Sequence, residues 1–484
     1  MSLDAAHCYP ALVARDARFD GRFFVGVTST GVYCRPVCRV RTPKVANCRF
    51  FASAAQAEAE RFRPCLKCRP ELAPGQAFSV MDASRTLARQ AAELINASVA
   101  EPPSIEQLAE RLGITDRHLR RIFAAEQGVT PLQYLQTRRL LLAKQLLTDS
   151  DLNITEVAAA SGFASLRRFN AAFLEHYRLQ PGSLRKQAAS PGSETRALRL
   201  GYRPPYAVEA LLQFLHARAI PGVEQVDLAA RTLSRTLSIE QAGQSLRGHL
   251  QLSFDEQRQQ ALVRLSPSLW PAVGRLLPSL RRWLDLDAEP EVIAEALGTL
   301  NPTPGLRLPG CLDRFELAVR AVLGQQVTVA AARTLASRLV QRFGEPLADA
   351  PDGLSHLFPR PVAFVEADVS QIAELGIIRR RAETLIALAR QWNSLAFAQG
   401  SGDQAAAAAE LCELPGIGPW TAGYMLMRGW SWPDAFPPGD VVLKKMLDGR
   451  PFPQDGGAWQ PYRSYAVLQL WREAAAAAPK TTRK

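Results

Sequence analysis

Leu411-Cys-Glu-Leu-Pro-Gly416-Ile-Gly418-Pro-Trp420-Thr-Ala422 sets two glycines one residue apart, with a proline directly after the second. Proline suits the first turn of a helix, where its missing N–H is not needed. The stretch therefore predicts helix, tight turn, helix, the form of a helix-hairpin-helix. Glycines let backbone amides approach a phosphate, and the second helix offers its positive end, so Gly416 and Gly418 are candidate DNA-backbone contacts. Taken alone, a Gly-x-Gly turn is weak evidence for nucleic acid. Further on, Gly429-Trp-Ser-Trp-Pro-Asp-Ala-Phe-Pro-Pro-Gly-Asp440-Val-Val-Leu-Lys-Lys445 places an acid after a proline-rich turn. An isolated aspartate there is ordinarily a helix N-cap.

Working outward, Pro304-Gly-Leu-Arg-Leu-Pro-Gly-Cys-Leu-Asp313 and Arg463-Ser-Tyr-Ala466 join these stretches in a close resemblance to the AlkA-type 3-methyladenine DNA glycosylase II family. It spans about residues 197 to 475 and includes a small mixed sheet domain, where Val226-Asp-Leu and His249-Leu-Gln-Leu-Ser-Phe254 alternate like strands. The resemblance implies that Asp440 is catalytic, stabilising an oxocarbenium-like sugar and helping to direct water to the anomeric carbon. It puts Tyr424 and Trp471 at base-stacking positions, with Trp420 lining the same hairpin. Alkylated bases are cationic or electron-poor, so aromatic faces attract them once the nucleotide is flipped out. An isolated aromatic on a helix is more simply core packing. Trp420 stands where bifunctional relatives carry a nucleophilic lysine, which implies a monofunctional glycosylase without lyase chemistry. Where the family inserts leucine into the gap left by the base, Leu323-Gly-Gln-Gln-Val-Thr328 offers Gln326, a polar wedge able to pair with the orphaned base; Gln325 could share that task. Asp434 and Lys444 read as structural or phosphate-facing.

Upstream, Ala77 to about Ala189 is helical in pattern. Ser104-Ile-Glu-Gln107 has the form of a capping box, with Ile105, Leu108, Ala109 and Leu112 on one face. Gly113 ends that helix, and the next, from Thr115, leaves Arg117 and Arg120 outside. The layout repeats: Ile154, Val157 and Ala158, a turn at Gly162, then Ser165 opening a helix with Arg167 and Arg168 exposed. Leu132 to Leu147 reads as an apolar connecting helix. Helical hairpins in general share this pattern. Glu156-Val-Ala-Ala-Ala-Ser-Gly-Phe163-x5-Phe169-x3-Phe173, ending Gln180-Pro-Gly-Ser-Leu-Arg185, is similar to AraC-type DNA-binding domains. That resemblance implies a double helix-turn-helix whose basic helices enter the major groove.

Nearest the N-terminus, six of the eight cysteines crowd into the first seventy residues. Cys34-x3-Cys38 and Cys65-x2-Cys68 suit one tetrahedral Zn2+, each pair chelating from a single turn. On spacing alone a structural zinc is the plain reading. Phe23-Phe-Val-Gly-Val-Thr-Ser-Thr-Gly-Val-Tyr-Cys34-Arg-Pro-Val-Cys38-Arg, with Phe62-Arg-Pro-Cys65-Leu-Lys-Cys68-Arg-Pro70, closely resembles the N-terminal domain of Ada-type methylation-damage regulators. In that family all four cysteines hold zinc and the first takes a methyl group irreversibly from a DNA methylphosphotriester, a role that falls on Cys34. Four thiolates on a dication leave a charge of about minus two, and a thioether removes one negative charge, so methylation should strengthen DNA binding. Arg35, Arg39 and Lys67, with Arg41, Lys44, Arg63 and Arg69, are candidate backbone contacts. Cys8 and Cys48 fall outside the pattern and read as small hydrophobes.

At 484 residues the chain exceeds one core and suggests about three or four domains. Lys plus Arg outnumber Asp plus Glu, 58 to 46, favouring a polyanionic partner over an acidic metabolite. No apolar run approaches a membrane span and no signal segment opens the sequence, which predicts a reducing, cytoplasmic (bacterial, nucleoid-associated) location where clustered cysteines bind metal. The expected architecture is multidomain and mainly α. It comprises a small α+β zinc domain (1–76), an all-α AraC-type double helix-turn-helix (77–189), a linker (190–196), a small mixed α+β sheet domain (197–288), an all-α helix-hairpin-helix glycosylase domain (289–476) and a disordered tail (477–484). Expected partners are double-stranded alkylated and promoter DNA and, for an activator, RNA polymerase, with the chain acting as a monomer. A Pro-Cys-His-Arg segment is absent, which argues against repair of O-alkylated guanine. The alternative is a transcription regulator with a structural zinc and a glycosylase domain that grips DNA without cutting.

Overall fold

The computed structural model describes residues 5–16, 19–68, 70, 83–97, 99–100, 102–188, 197–241, 243–400, 403–448 and 456–477. Arg69, the expected boundary near residue 76, the 190–196 linker and nearly all of the 477–484 tail lie outside them. Packing divides the chain into two compact units, Met1–Arg199 with Trp270–Pro278, and Leu200–Leu269 with Ser279–Lys484. None of the described helices is long and apolar enough to cross a membrane.

The first unit opens with α1 (Ala5–Ala14) and a four-stranded sheet of β1 (Phe24–Val27), β2 (Val32–Cys34), β3 (Cys48–Phe51) and β4 (Arg63–Pro64), with α2 (Ala54–Ala59) between the last two. The order is β3-β1-β2-β4, antiparallel except for β2 and β4. Phe24, Tyr33, Phe51 and Phe62 form one small core beside α2, and Cys8, Leu12, Phe23 and Val25 form another. So slight a core leaves such a module dependent on a further cross-link.

Seven helices follow: α3 (Ala83–Ala97), α4 (Ile105–Arg111), α5 (Asp116–Gln127), α6 (Pro131–Asp149), α7 (Ile154–Ala160), α8 (Leu166–Tyr177) and α9 (Pro181–Ala188). Reciprocal capping boxes at Ser104/Gln107, Thr130/Gln133 and Asn153/Glu156 explain where α4, α6 and α7 begin, because each satisfies amides that have no partner within the helix. Gly162, at φ +81°, makes the turn into the second basic helix; a Cβ there would meet the Ala100 carbonyl oxygen at 2.6 Å. Apolar residues turn inward at helical spacing, Leu119, Ile122 and Phe123 on α5 and Phe169, Phe173 and Tyr177 on α8.

A five-stranded sheet, all but the start of β5 in the second unit, comprises β5 (Leu198–Gly201), β6 (Glu224–Asp227), β7 (Thr232–Gln241), β8 (Gln244–Asp255) and β9 (Gln260–Leu265) in the order β5-β9-β8-β7-β6, with α10 (Val208–His216) between its first two strands in sequence. Alternate positions of β9 are buried, the period-two pattern of a half-covered sheet. Helices then dominate: α11 (Val273–Trp283), whose residues to Pro278 belong to the first unit, and α12 (Pro290–Leu297), α13 (Arg314–Leu323), α14 (Val329–Phe343), α15 (Pro361–Val365), α16 (Val369–Ala373), α17 (Arg379–Gln391), α18 (Ala396–Gln399), α19 (Gln404–Glu413), α20 (Pro419–Gly429), α21 (Val441–Leu447) and α22 (Arg463–Ala477). Helix α13 is buried on nearly all sides, Glu316 included, and runs through the centre of a core that includes Phe315, Val319, Leu385, Leu411 and Met425. A second core, with Met427, Leu443, Trp459 and Tyr465, fixes α21 and α22.

Candidate functional site

Parallel pairing of β2 with β4 matches Tyr33 with Pro64, and the amide of Cys65 donates to the Tyr33 carbonyl at 2.9 Å. Each strand runs directly into a cysteine, so the sheet itself brings Cys34 beside Cys65. Cys38 and Cys68 complete the group, and the four sulfurs lie within 4.8 Å of one another. Three are buried and Cys68 is half-buried. Titration of the four thiols is mutual: hydrogen bonds from Cys38, Cys65 and Cys68 push Cys34 far up, while Cys65 is pulled far down, first by Cys34 and then by Cys38. Four soft donors on tetrahedral-compatible spacing fit a zinc ion, whose charge would relieve that competition.

Arg35 sits differently from a surface phosphate contact. Its Nε donates to Asp20 Oδ1 at 2.8 Å, Nη2 pairs with Asp20 Oδ2, and Nη1 donates to the Cys68 carbonyl at 3.1 Å. Both side chains are buried, and the Arg35 amide also donates to Cys68 Sγ at 3.3 Å. The guanidinium thus ties the two cysteine loops together. By contrast Arg39 and Lys67 are exposed beside the cluster, as are Arg41 and Lys44. Arg117 and Arg120 on α5 and Arg167 and Arg168 on α8 all face solvent, with Arg120 in a loose pair to Asp116 at 3.8 Å.

Twenty residues along from the hairpin's Trp420, Asp440 begins α21. Its Oδ1 accepts from the Leu443 amide at 2.9 Å, an N-cap, while Oδ2 accepts from Trp420 Nε1 at 2.8 Å. Trp471 Nε1 approaches Oδ1 at 3.4 Å. The carboxylate is thereby held as an acceptor although it is only 8% exposed. Trp420 and Tyr424, one turn apart on α20, stack with centroids 5.5 Å apart and planes within 5°, and Trp471 lies across from Tyr424 at 6.2 Å. Asp440 and these three rings line a cavity of about 830 Å3, large enough for a base. Asp434, in the proline-rich turn, pairs with Arg463 and is structural; Lys444 is exposed.

Two cavity residues escaped the sequence reading. Arg428 Nη1 donates to the Tyr424 hydroxyl at 2.9 Å, and Arg218, just beyond α10, stacks on Phe214 at 3.7 Å. Burial would raise the Tyr424 pKa, but Arg428 and then Arg218 outweigh it, so the phenol titrates below its usual range. Arg428 follows Tyr424 by four residues on one helix face, a readable signal; Arg218 comes from the sheet domain and carries none. Gln326 is exposed and does not itself line the cavity, although Gly324 and Val327 on either side of the two glutamines do, whereas Gln325 is tied to the hairpin.

Four family profiles match the chain: the metal binding domain of Ada at residues 7–71, a helix-turn-helix domain at 108–187, the AlkA N-terminal domain at 197–313, and the HhH-GPD superfamily base excision DNA repair protein at 319–449. Over 492 residues the chain is 37% identical to the probable bifunctional transcriptional activator/DNA repair enzyme AlkA of Mycobacterium tuberculosis, covering 97% of this chain and 96% of that one. It is 38% identical to DNA-3-methyladenine glycosylase 2 of Escherichia coli over 282 residues, 56% of this chain and 95% of that one. To the bifunctional transcriptional activator/DNA repair enzyme Ada of Escherichia coli it is 32% identical over 155 residues, 31% of this chain and 41% of that one.

Proposed function

The chain belongs to the family of bifunctional AlkA-type transcriptional activator/DNA repair enzymes, zinc- and DNA-binding proteins with a DNA glycosylase domain, and on that premise we propose that Cys34 and Asp440 divide its work between sensing and excision. The observation that carries the excision half is the Asp440 carboxylate, held by an indole donor in the wall of an aromatic cavity. An alkylated base such as 3-methyladenine enters among Tyr424, Trp420 and Trp471 after flipping. As the bond from C1′ to the base nitrogen breaks, its electron pair leaves with the base and neutralises the base's positive charge. Asp440 stabilises the charge appearing on the sugar, and water adds its oxygen to C1′, losing its proton to the carboxylate. No lysine stands at Trp420 to form a covalent intermediate, so the reaction ends at hydrolysis.

For the sensing half, Cys34, Cys38, Cys65 and Cys68 would hold the zinc ion, which when bound would supply the positive charge that keeps their thiols deprotonated at neutral pH. Cys34 Sγ attacks the methyl carbon of a methylphosphotriester; the sulfur–carbon bond forms, the oxygen–methyl bond breaks, and the phosphate oxygen leaves with the negative charge. Losing one thiolate charge lowers the module's repulsion from DNA. Arg39 and Lys67 then hold the backbone while Arg117, Arg120, Arg167 and Arg168 engage the promoter, and Gly416 and Gly418 grip the damaged strand. As an activator the protein, a cytoplasmic monomer in this reading, contacts RNA polymerase.

One set of assays tests both halves. Full-length protein should release 3-methyladenine from methylated duplex, and Asp440→Asn should be slower by at least about a hundredfold. Equal release would eliminate Asp440 and favour a domain that only grips DNA. After incubation with methylphosphotriester DNA, mass spectrometry should find one methyl group on Cys34 and tighter duplex binding. An unmodified Cys34 would leave the metal with a structural role alone.

A further inference from the structure

The loop between α13 and α14 bears two adjacent glutamines with opposite surroundings. Gln326 is exposed and held at φ +53°, a left-handed conformation that costs a residue with a Cβ about 1 kcal/mol and persists only where neighbours enforce it. Gln325 supplies the enforcement. Its Nε2 donates to the Gly416 carbonyl at 2.8 Å and to Thr421 Oγ1 at 3.0 Å, one bond to the turn of the hairpin and one to the start of α20. Its own carbonyl accepts from Arg381 Nη2. Arg381 is on α17, and one turn further on that helix Thr384 lies directly under Gly416. A single helix therefore braces both the glutamine loop and the glycine turn.

From this we infer that Gln325 is a positioning residue that fastens the Gln326 loop to the hairpin, so that phosphate grip and insertion into the duplex act on DNA as one rigid part. The inference rests on the base-excision reading and adds to it. Displacing a base from its stack is opposed by roughly a few kcal/mol, and a loop fixed only at its ends would yield to that load. With Nε2 anchored to the hairpin, the load on Gln326 passes into the element that holds the strand. Without it, Gln326 relaxes from the left-handed conformation and no longer holds a fixed position beside the hairpin.

Full-length Gln325→Glu keeps the size of the side chain but replaces the donor with an acceptor facing the Gly416 carbonyl. Two readouts are needed: single-turnover release of 3-methyladenine, and the fluorescence of 2-aminopurine placed next to the target base, which rises when stacking is broken. Gln325→Glu should lower both, release by about tenfold. Because Gln325 acts through its neighbour, Gln325→Glu combined with Gln326→Ala should be no slower than Gln326→Ala alone. Losses that multiply, or unchanged fluorescence in Gln325→Glu, overturn the inference. Wild-type protein that raises fluorescence but releases no base leaves the positioning role standing and removes the excision reading; wild-type protein that raises neither removes both. If Gln325→Glu unfolds, Thr421→Val, which removes one acceptor, must still slow release by about threefold, and no loss there counts against the anchor.

Discussion

The Asp440 carboxylate caps α21 through the Leu443 amide and at the same time receives the Trp420 indole, so one oxygen fills the ordinary N-cap role while the other is held in the cavity wall, where the proposed catalytic role needs it. Capping orients the group cheaply and leaves the second oxygen aimed at the cavity. Arg35 went the other way. Its place among basic residues marked it as a phosphate contact, yet its burial against Asp20 makes it an internal tie between the cysteine loops. Replacing Asp20 by Asn removes the negative charge that Asp20 sets against that buried guanidinium, at a cost of about 3 kcal/mol. The expected result is a lower urea midpoint for the first unit and faster loss of zinc to a chelator. An unchanged rate of zinc loss would mean that the pair does not steady the cysteines.

Among the elements, the hairpin between α19 and α20 shows best what a motif does and does not reveal. Its glycines were readable, and so was the proline that starts α20. Gly416 sits at φ +85° with Thr384 Oγ1 2.1 Å from where a Cβ would stand. Gly416→Ala therefore meets both backbone strain and a steric block, worth about 1–3 kcal/mol together. We expect a lower melting temperature and duplex affinity weakened by about fivefold, measured by fluorescence anisotropy; wild-type affinity would exclude Gly416 from the grip. The partner across the turn, Thr384, lies on a helix with no motif of its own. Packing alone brings α17 under the hairpin, and no spacing rule in the chain reports it.

At the scale of the molecule, the zinc module and the helical module of the first unit share a buried polar contact. Tyr33, next to Cys34, donates to Glu58 Oε1 at 2.8 Å, and Tyr177, at the end of α8, approaches the same oxygen at 3.4 Å. Burial raises the Glu58 pKa to about 8, more than the hydrogen bonds from Tyr33, Tyr177 and Thr137 and the charge of the buried Lys144 lower it. The folded chain thus keeps a proton that the unfolded chain, with an ordinary glutamate near 4.5, gives up. The stability this contact lends is complete below about pH 4.5 and is lost as pH rises towards 8. Hydrogen-exchange protection of α2, corrected for intrinsic rates, should accordingly be lower at pH 8.5 than at pH 5.5, and Glu58→Gln should remove the difference. Equal protection in wild-type protein at both values would show that Glu58 ionises freely.

The cysteine pairs, the repeated basic helices and the glycine hairpin with its following acid could all be read directly, because each depends on residue type at short spacing, where local backbone geometry dictates the chemistry. Arg218 beside Tyr424, Gln325 on the Gly416 carbonyl, Asp20 under Arg35 and Glu58 between two modules could not. Those contacts join residues far apart in the chain, and they arise when apolar faces pack and carry polar side chains into enclosed space, where each must find a partner.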